Sequence, residues 1–180
     1  MHAYVFLADG FEDIEAVAAI DILRRAAVEV NTVSITNEHS VTTAHGITML
    51  ADTTIDKITI TDDDLMLLPG GMPGTTNLAK CKTLCDMLIK HNNAHGKIAA
   101  ICAAPSILGQ LGILKAHTAT CYPGFEDQLG CEYDSEQAVV VSDNIITSCG
   151  PGQAMAFALL IVGTWVSENT MQKLIEDMQF

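Results

Sequence analysis

The pattern of apolar and polar positions begins with a strand, a helix and a second strand. An apolar run at residues 4–8 predicts a buried strand, and the mostly apolar stretch from about 12 to 27 predicts a helix packed on more than one side. Period-two alternation at residues 28–35 predicts the next strand. A βαβ unit of this kind indicates a parallel sheet with right-handed crossovers.

The rest of the chain continues this alternation of short apolar runs with longer helical stretches. Further strands are predicted at 65–68, 98–102 and 118–121, with a hairpin of 138–141 and 145–148. Further helices are predicted at about 75–91, at 103–111 and from 150–152 to about 166, and the third of these is expected to be buried all round. A last, amphipathic helix is predicted to reach the C-terminus. Residues 36–61 are polar and rich in Thr and His, and we interpret them as short strands or a hairpin.

Two capping boxes are predicted from Asp or Asn residues followed by Glu or Gln. Asp9 with Glu12 is expected to cap the first helix, and Asn169 with Gln172 the last.

Composition indicates one globular domain over residues 1–180. At 49% hydrophobic, the chain can bury a core without disulfides or metal. Its net charge is −13, and no basic cluster exceeds Arg24 and Arg25. Nucleic acid and anionic membrane are therefore not expected as partners.

Cysteine usage and the apolar segments point to the cytoplasm. The six cysteines form no CxxC pair, and the first eight residues lack the basic region of a secretory signal. The longest apolar segment, residues 154–166, is shorter than the ~20 residues of a membrane span. We expect reduced thiols, no metal and no cofactor.

Cys102 is the first candidate for chemistry, because it lies where a buried strand turns into a helix. Such a turn can hold a side chain clear of the sheet, and the N–H groups of a helix start favour an anion. Both effects are expected to lower the pKa of the thiol from its usual 8.5 or so. The alternative is a buried structural cysteine, since free cysteine is among the most buried residue types.

Glu15 and a pair of glycines are candidates to act with Cys102. The helical neighbours of Glu15 are apolar apart from Glu12, which predicts a raised pKa and a protonated carboxyl that donates a hydrogen bond or hands on a proton. Gly70 and Gly71 follow a predicted strand, so the N–H of Gly71, with that of Ala103, can form an oxyanion hole. The alternatives are a Glu that points to water and an ordinary tight turn.

Four motifs in order resemble the ThiJ/PfpI superfamily. They are FEDIEA at 11–16, LPGG at 68–71, AAICAAP at 99–105 and TSCGPG at 147–152. The pattern is most similar to the branch of the Parkinson-disease-associated deglycase and its bacterial ThiJ-like relatives. This resemblance implies a flavodoxin-like three-layer α/β/α sandwich with a mainly parallel sheet, usually a homodimer, in which a nucleophile elbow carries a reactive cysteine.

The resemblance also implies a role for individual residues. Cys102 matches the family nucleophile and Glu15 the protonated glutamate beside it, while Gly71 and Ala103 match the backbone donors of the oxyanion pocket. Gly70, Tyr122 and Pro123 are the other residues expected at the pocket.

Two departures from the family pattern affect the chemistry. Many members have a histidine where this chain has Tyr122, and a tyrosine with a pKa near 10 is no base at pH 7. His117 is the nearest histidine in sequence, although it can equally be an ordinary loop residue. Cys149 stands where the eukaryotic branch has an arginine, which removes an anion ligand.

Three functional hypotheses remain open. The first is a cofactor-free cytosolic enzyme, glyoxalase-like or deglycase-like, that acts on small reactive aldehydes through Cys102. The second is an oxidative-stress sensor or chaperone-like protein with reversible oxidation of Cys102. The third is an intracellular cysteine peptidase, which ranks last because of Tyr122.

Overall fold

The computed structural model covers residues 1–180, with six α-helices and eleven strands. The strands are β1 (His2–Leu7), β2 (Glu29–Ser34), β3 (Ser40–Thr42), β4 (Thr48–Leu50), β5 (Thr53–Thr54), β6 (Leu65–Leu68), β7 (Lys97–Ile101), β8 (Thr118–Ala119), β9 (Glu132–Tyr133), β10 (Val139–Ser142) and β11 (Ile145–Ser148). The helices are α1 (Asp13–Arg25), α2 (Gly74–Lys80), α3 (Lys82–Asn93), α4 (Pro105–Gln110), α5 (Ala154–Trp165) and α6 (Glu168–Asp177).

Seven strands form the central sheet in the order β10-β11-β7-β6-β1-β2-β5. All neighbours are parallel except the edge pair of β10 and β11. Two apolar cores lie on opposite faces of the sheet: α1, α5 and α6 contribute to one, and α2, α3 and α4 to the other. This arrangement confirms the flavodoxin-like three-layer α/β/α fold and the predicted β10–β11 hairpin.

The register of the central strands gathers the candidate residues at one edge. Leu68 at the end of β6 pairs with Ala100 of β7, and Val5 of β1 pairs with Leu67. The carboxyl ends of these three parallel strands therefore lie side by side, and ligands of open α/β sheets bind at such an edge.

The predicted helix at 75–91 is in fact two helices. Cys81 separates α2 from α3 in an extended conformation, with φ −76° and ψ 95°. No glycine or proline marks this break, so the sequence pattern does not reveal it.

Both predicted capping boxes are wrong. The N-cap residue of α1 is Glu12, whose side chain makes no capping bond, while Asp9 accepts a hydrogen bond from the N–H of Thr42 at 2.8 Å. The last helix is capped by Ser167, which accepts from the N–H of Thr170. Tertiary contacts and an earlier serine thus replace the expected local bonds.

Two helices that were expected to be buried on several sides expose apolar residues. Ile14 and Val17 of α1 are 55% and 47% exposed, and Met155 of α5 is 41% exposed. Since α1 and α5 pack against each other, these residues lie on one helical layer. These three side chains therefore leave apolar surface exposed on the helical layer of α1 and α5.

The polar segment after β2 contains the expected hairpin. Strands β3 and β4 pair antiparallel, with Val41 opposite Met49. The short strand β8, predicted to reach residue 121, ends at Ala119 and pairs with β9 outside the central sheet.

No helix of the structure is both long and apolar enough to cross a membrane.

Candidate active site

Cys102 lies on a nucleophile elbow directly after β7. Its backbone has φ 64°, in the left-handed region that costs a non-glycine residue about 1–3 kcal/mol. Two hydrogen bonds hold this conformation: the N–H of Cys102 donates to the carbonyl of Ser148, and its carbonyl accepts from the N–H of Tyr122, each at 2.8 Å. The fold therefore imposes the elbow from two neighbouring segments.

Glu15 reaches the elbow from the first turn of α1 and is completely buried. Its Oε2 atom accepts a hydrogen bond from the N–H of Gly70 at 2.7 Å, whereas Oε1 is buried and makes no such bond. Burial raises the pKa of Glu15 to about 7, a shift assisted by the nearby Glu12 carboxylate and opposed by interactions with the Gly70 N–H and the Cys102 thiol. A protonated carboxyl is thus available to the Cys102 sulfur, as the apolar helix face predicts.

Two adjacent glycines allow this close approach. A Cβ on Gly70 would lie 2.7 Å from Cβ of Cys102 and 2.9 Å from Oε2 of Glu15. Gly71 has φ 86°, and a Cβ there would lie 2.4 Å from the backbone N of Glu12. The Gly-Gly pair is therefore required by the site and is more than a strand-ending turn.

Two backbone N–H groups act on the Cys102 thiol. Those of Gly71 and Ala103 lower its pKa, because they stabilise the thiolate. They are the same two donors expected to form the oxyanion hole.

The thiol itself is harder to ionise than the sequence predicts. The pKa of Cys102 is raised to about 12, chiefly by burial and then by the charge of Glu15 and its hydrogen bond, against the two backbone donors. The expected lowering by the helix start is outweighed, because the thiol is buried beside a carboxylate. Above about pH 7 the pair of Glu15 and Cys102 carries one negative charge, and a thiolate forms when the ionised Glu15 takes the thiol proton.

Tyr122 and Pro123 lie beside the elbow without supplying a base. The Tyr122 backbone is bonded to Cys102, and its ring, 46% exposed, packs on Gly150. Pro123 is exposed in the turn that the N–H of Phe125 closes on the carbonyl of Tyr122 at 3.2 Å. The loop therefore borders the site, as the family pattern implies.

His117 is at the other end of the sheet. Its Nδ1 atom lies 3.1 Å from the carbonyl oxygen of Ser142, next to the β10–β11 turn. Ser142 pairs with Ile145, which pairs with Ile98 near the start of β7, whereas Cys102 follows the end of that strand. His117 therefore does not replace the family histidine.

Ser148 is the site residue that sequence reasoning missed. Its carbonyl accepts the Cys102 N–H, and its side chain donates to the carbonyl of Ala138 at 2.9 Å. Only the pairing of β7 with β11 reveals this role, and sequence periodicity does not give strand order.

A recess of about 360 Å³ is remote from this chemistry and lies between the segment around Ile58 and helix α3. It contains His91, whose Nε2 atom lies 3.1 Å from the carbonyl of Asp64 and 3.2 Å from that of Lys97. These bonds make His91 a structural residue that joins α3 to the sheet.

Comparisons with known proteins agree with this geometry. Residues 1–164 match the model of the DJ-1/PfpI family. Protein DJ-1 homolog B of Arabidopsis thaliana is 42% identical over 159 residues, which are 87% of this chain and 36% of the plant protein, so the chain spans about a third of that relative. The glutathione-independent glyoxalase DJR-1.2 of Caenorhabditis elegans is 33% identical over 93% of this chain and 89% of its own.

A solved structure is similarly close over nearly the whole chain. Oxidized DJ-1 of Toxoplasma gondii has a TM-score of 0.93 and 34% identity, and the match covers 99% of this chain and 98% of that one. With the elbow cysteine, the buried glutamate and the paired glycines in place, the chain belongs to the DJ-1/PfpI family.

Proposed function

We propose that the protein is a cofactor-free enzyme that converts small reactive aldehydes, in the manner of a glyoxalase, through Cys102. The observation that carries this proposal is the buried carboxyl of Glu15, which interacts with the Cys102 thiol and keeps Oε1 free of any other hydrogen bond. A carboxyl placed in this way can take a proton from the thiol and return it to substrate.

With a 2-oxoaldehyde as substrate, the reaction begins with attack on the aldehyde carbon. A bond forms between that carbon and Sγ of Cys102 while Glu15 accepts the thiol proton. The oxyanion rests on the N–H groups of Gly71 and Ala103 and then receives the proton from Glu15, which gives a hemithioacetal.

Glu15 then moves a proton between neighbouring carbons. It removes the hydrogen of the former aldehyde carbon and delivers a proton to the adjacent carbon, while the hydroxyl proton passes to the oxygen of the former ketone; the product is the thioester of a 2-hydroxy acid. Water hydrolyses this thioester and regenerates the Cys102 thiol. The sum for methylglyoxal is the addition of one water to give lactate.

Support for this proposal comes from the site and from a relative. One relative that matches nearly the whole chain is named a glutathione-independent glyoxalase. The sequence of proton transfers needs one acid–base group, and Glu15 with a pKa of about 7 is suited to both directions near neutral pH. Tyr122 in place of the family histidine takes no part.

The test is lactate formation from methylglyoxal by purified protein without glutathione and with a metal chelator present. We expect Cys102→Ala and Glu15→Gln to abolish turnover. Cys85→Ala, a matched thiol removal on α3 in the opposite helical layer, should retain it. Lactate formation by Cys102→Ala at the native rate would overturn the mechanism.

A second function, sensing of oxidants, is favoured by the same carboxyl. Peroxide would transfer one oxygen to the sulfur and leave as water, and protonated Glu15 would donate to the bound oxygen. The Toxoplasma relative was solved in an oxidized form. Mass spectrometry after mild peroxide should find oxygen on Cys102 before the other five cysteines, and equal oxidation of all six would exclude this function.

Peptidase activity is the weakest of the three functions. A Cys-His-acid triad needs a histidine near the nucleophile, and Tyr122 occupies that place while His117 lies at the far end of β7. We expect the protein not to hydrolyse casein. Casein hydrolysis by the native protein that disappears in Cys102→Ala would instead support this function.

We also propose that the protein is a homodimer. Ile14, Val17 and Met155 form exposed apolar surface on adjoining helices, and a second copy would complete the burial that their pattern predicts. Val17→Asp should shift the mass from light scattering to that of a monomer. Ile89→Asp, at an exposed apolar position on α3, should leave the mass unchanged.

The cytoplasm is the proposed location. All six cysteines are free in the structure, which suits a reducing compartment. Fluorescent tagging of the full chain tests this, and a signal confined to another compartment would contradict it.

A further inference from the structure

Three metal-ligating side chains converge at the start of α1, outside the Cys102 site. They are Glu12, Asp13 and, from the loop between β3 and β4, His45. Nδ1 of His45 lies 2.7 Å from Oδ1 of Asp13 and 3.8 Å from Oε1 of Glu12, and the three ligand atoms all lie within 4.8 Å of one another.

Backbone bonds fix the two segments that carry these side chains. The N–H of Ala44 donates to the carbonyl of Phe11 at 2.8 Å, and the N–H of Gly10 donates to that of Thr42 at 2.7 Å. Because His45 follows Ala44 directly and Glu12 follows Phe11, the spacing of the imidazole and the carboxylates is set by the fold.

Glu12 is the member that an ion pair alone does not explain. Its side chain is only 12% exposed, yet it makes no capping bond to its own helix, and its nearest cationic atom is Nδ1 of His45 at 3.8 Å. Asp13 takes the short bond to His45. Two carboxylates therefore share at most one positive charge, that of a protonated His45.

We propose that Glu12, Asp13 and His45 bind one divalent transition-metal ion, with water in the remaining positions. Imidazole nitrogen and carboxylate oxygen both bind such ions at about 2.0–2.2 Å. Ligands at that distance from a common ion are separated by about 3–4 Å, which the present separations nearly match. His45 loses its hydrogen bond to Asp13 and offers the Nδ1 lone pair to the ion.

This site is separate from the proposed reaction. Glu12 is joined to the Cys102 pocket through its backbone N–H, which donates to the carbonyl of Gly70 at 2.9 Å. None of the three ligands is needed for the steps assigned to Glu15 and Cys102. The proposal can therefore fail or succeed independently of the aldehyde chemistry.

Co²⁺ is the probe, because its absorption spectrum distinguishes oxygen and nitrogen ligands from thiolates. Calorimetry of the reduced protein should show that one Co²⁺ binds per chain. The absorption spectrum of the complex should show no sulfur-to-metal charge-transfer band. His45→Ala and Glu12→Gln should each weaken binding by about tenfold or more. Paramagnetic Co²⁺ should also broaden the amide signals of residues 12, 13 and 45 first.

His95→Ala is the matched control. His95 also faces a carboxylate, with Nδ1 3.5 Å from Oδ2 of Asp143, but both side chains are exposed and no third ligand is present. This variant should bind Co²⁺ like the native protein. Because His45 is 62% exposed, its replacement should leave the circular dichroism spectrum unchanged. Equal Co²⁺ affinity in native protein and His45→Ala, no binding to either, or a thiolate band would overturn the proposal.

Discussion

The carboxyl of Glu15 and the thiol of Cys102 meet across the backbone of Gly70. Oε2 of Glu15 is held by the Gly70 N–H at 2.7 Å, and Oε1 has no other hydrogen-bond partner. Glu15 lies in the first turn of α1 and Cys102 follows β7, yet the two acids are buried together, and above about pH 7 they share one negative charge.

Gly70→Ala should disrupt this relationship. The new Cβ would lie within 3 Å of both Cys102 Cβ and Glu15 Oε2. We therefore expect the free energy of unfolding to fall by about 1–3 kcal/mol and most of the activity to be lost. Gly152→Ala is the control, since a Cβ there meets nothing within 4 Å. Urea denaturation of both variants measures the difference, and equal stabilities would contradict the close packing at Gly70.

Tyr122→Phe should change little. The ring packs on Gly150 and is 46% exposed, and a phenol does not supply the base that an imidazole supplies. We expect lactate formation within about twofold of the native rate, since removing an exposed hydroxyl costs little. A large loss of turnover with unchanged stability would assign Tyr122 a direct role.

Sequence reasoning identified these residues through local patterns. The apolar run before Cys102, the apolar face around Glu15 and the Gly-Gly after β6 depend on neighbours in the chain, and the structure brings these residues together at one edge of the sheet. Features that depend on distant contacts were missed. The Ser148 carbonyl, the placement of His117 and the break at Cys81 follow from strand order and tertiary packing. The raised pKa of Cys102 was missed for the same reason, since it depends on the depth of burial and on the charge of Glu15.

The stability of the protein should fall as Glu15 ionises. Its pKa is about 7 in the folded protein and near 4.5 when unfolded, so the folded state holds the proton more tightly. The resulting stabilisation is complete below about pH 4.5 and is lost as the pH rises through about 7, by up to about 3 kcal/mol.

Glu15→Gln isolates this contribution, because glutamine does not titrate. Urea denaturation at pH 5 and at pH 8 should show native protein losing stability relative to the variant. A difference between the two proteins that does not vary with pH would show that Glu15 titrates as an ordinary surface carboxyl.

The pH dependence of Cys102 alkylation tests the shared charge most directly. The rate of iodoacetamide labelling at Cys102, followed by mass spectrometry, should rise with pH through about 7 as Glu15 becomes able to accept the thiol proton. In Glu15→Gln this inflection should disappear, and the rate should rise only at higher pH, because burial still disfavours the thiolate. An inflection near 8.5, the value of an ordinary cysteine, that is the same in native protein and in Glu15→Gln would contradict the account.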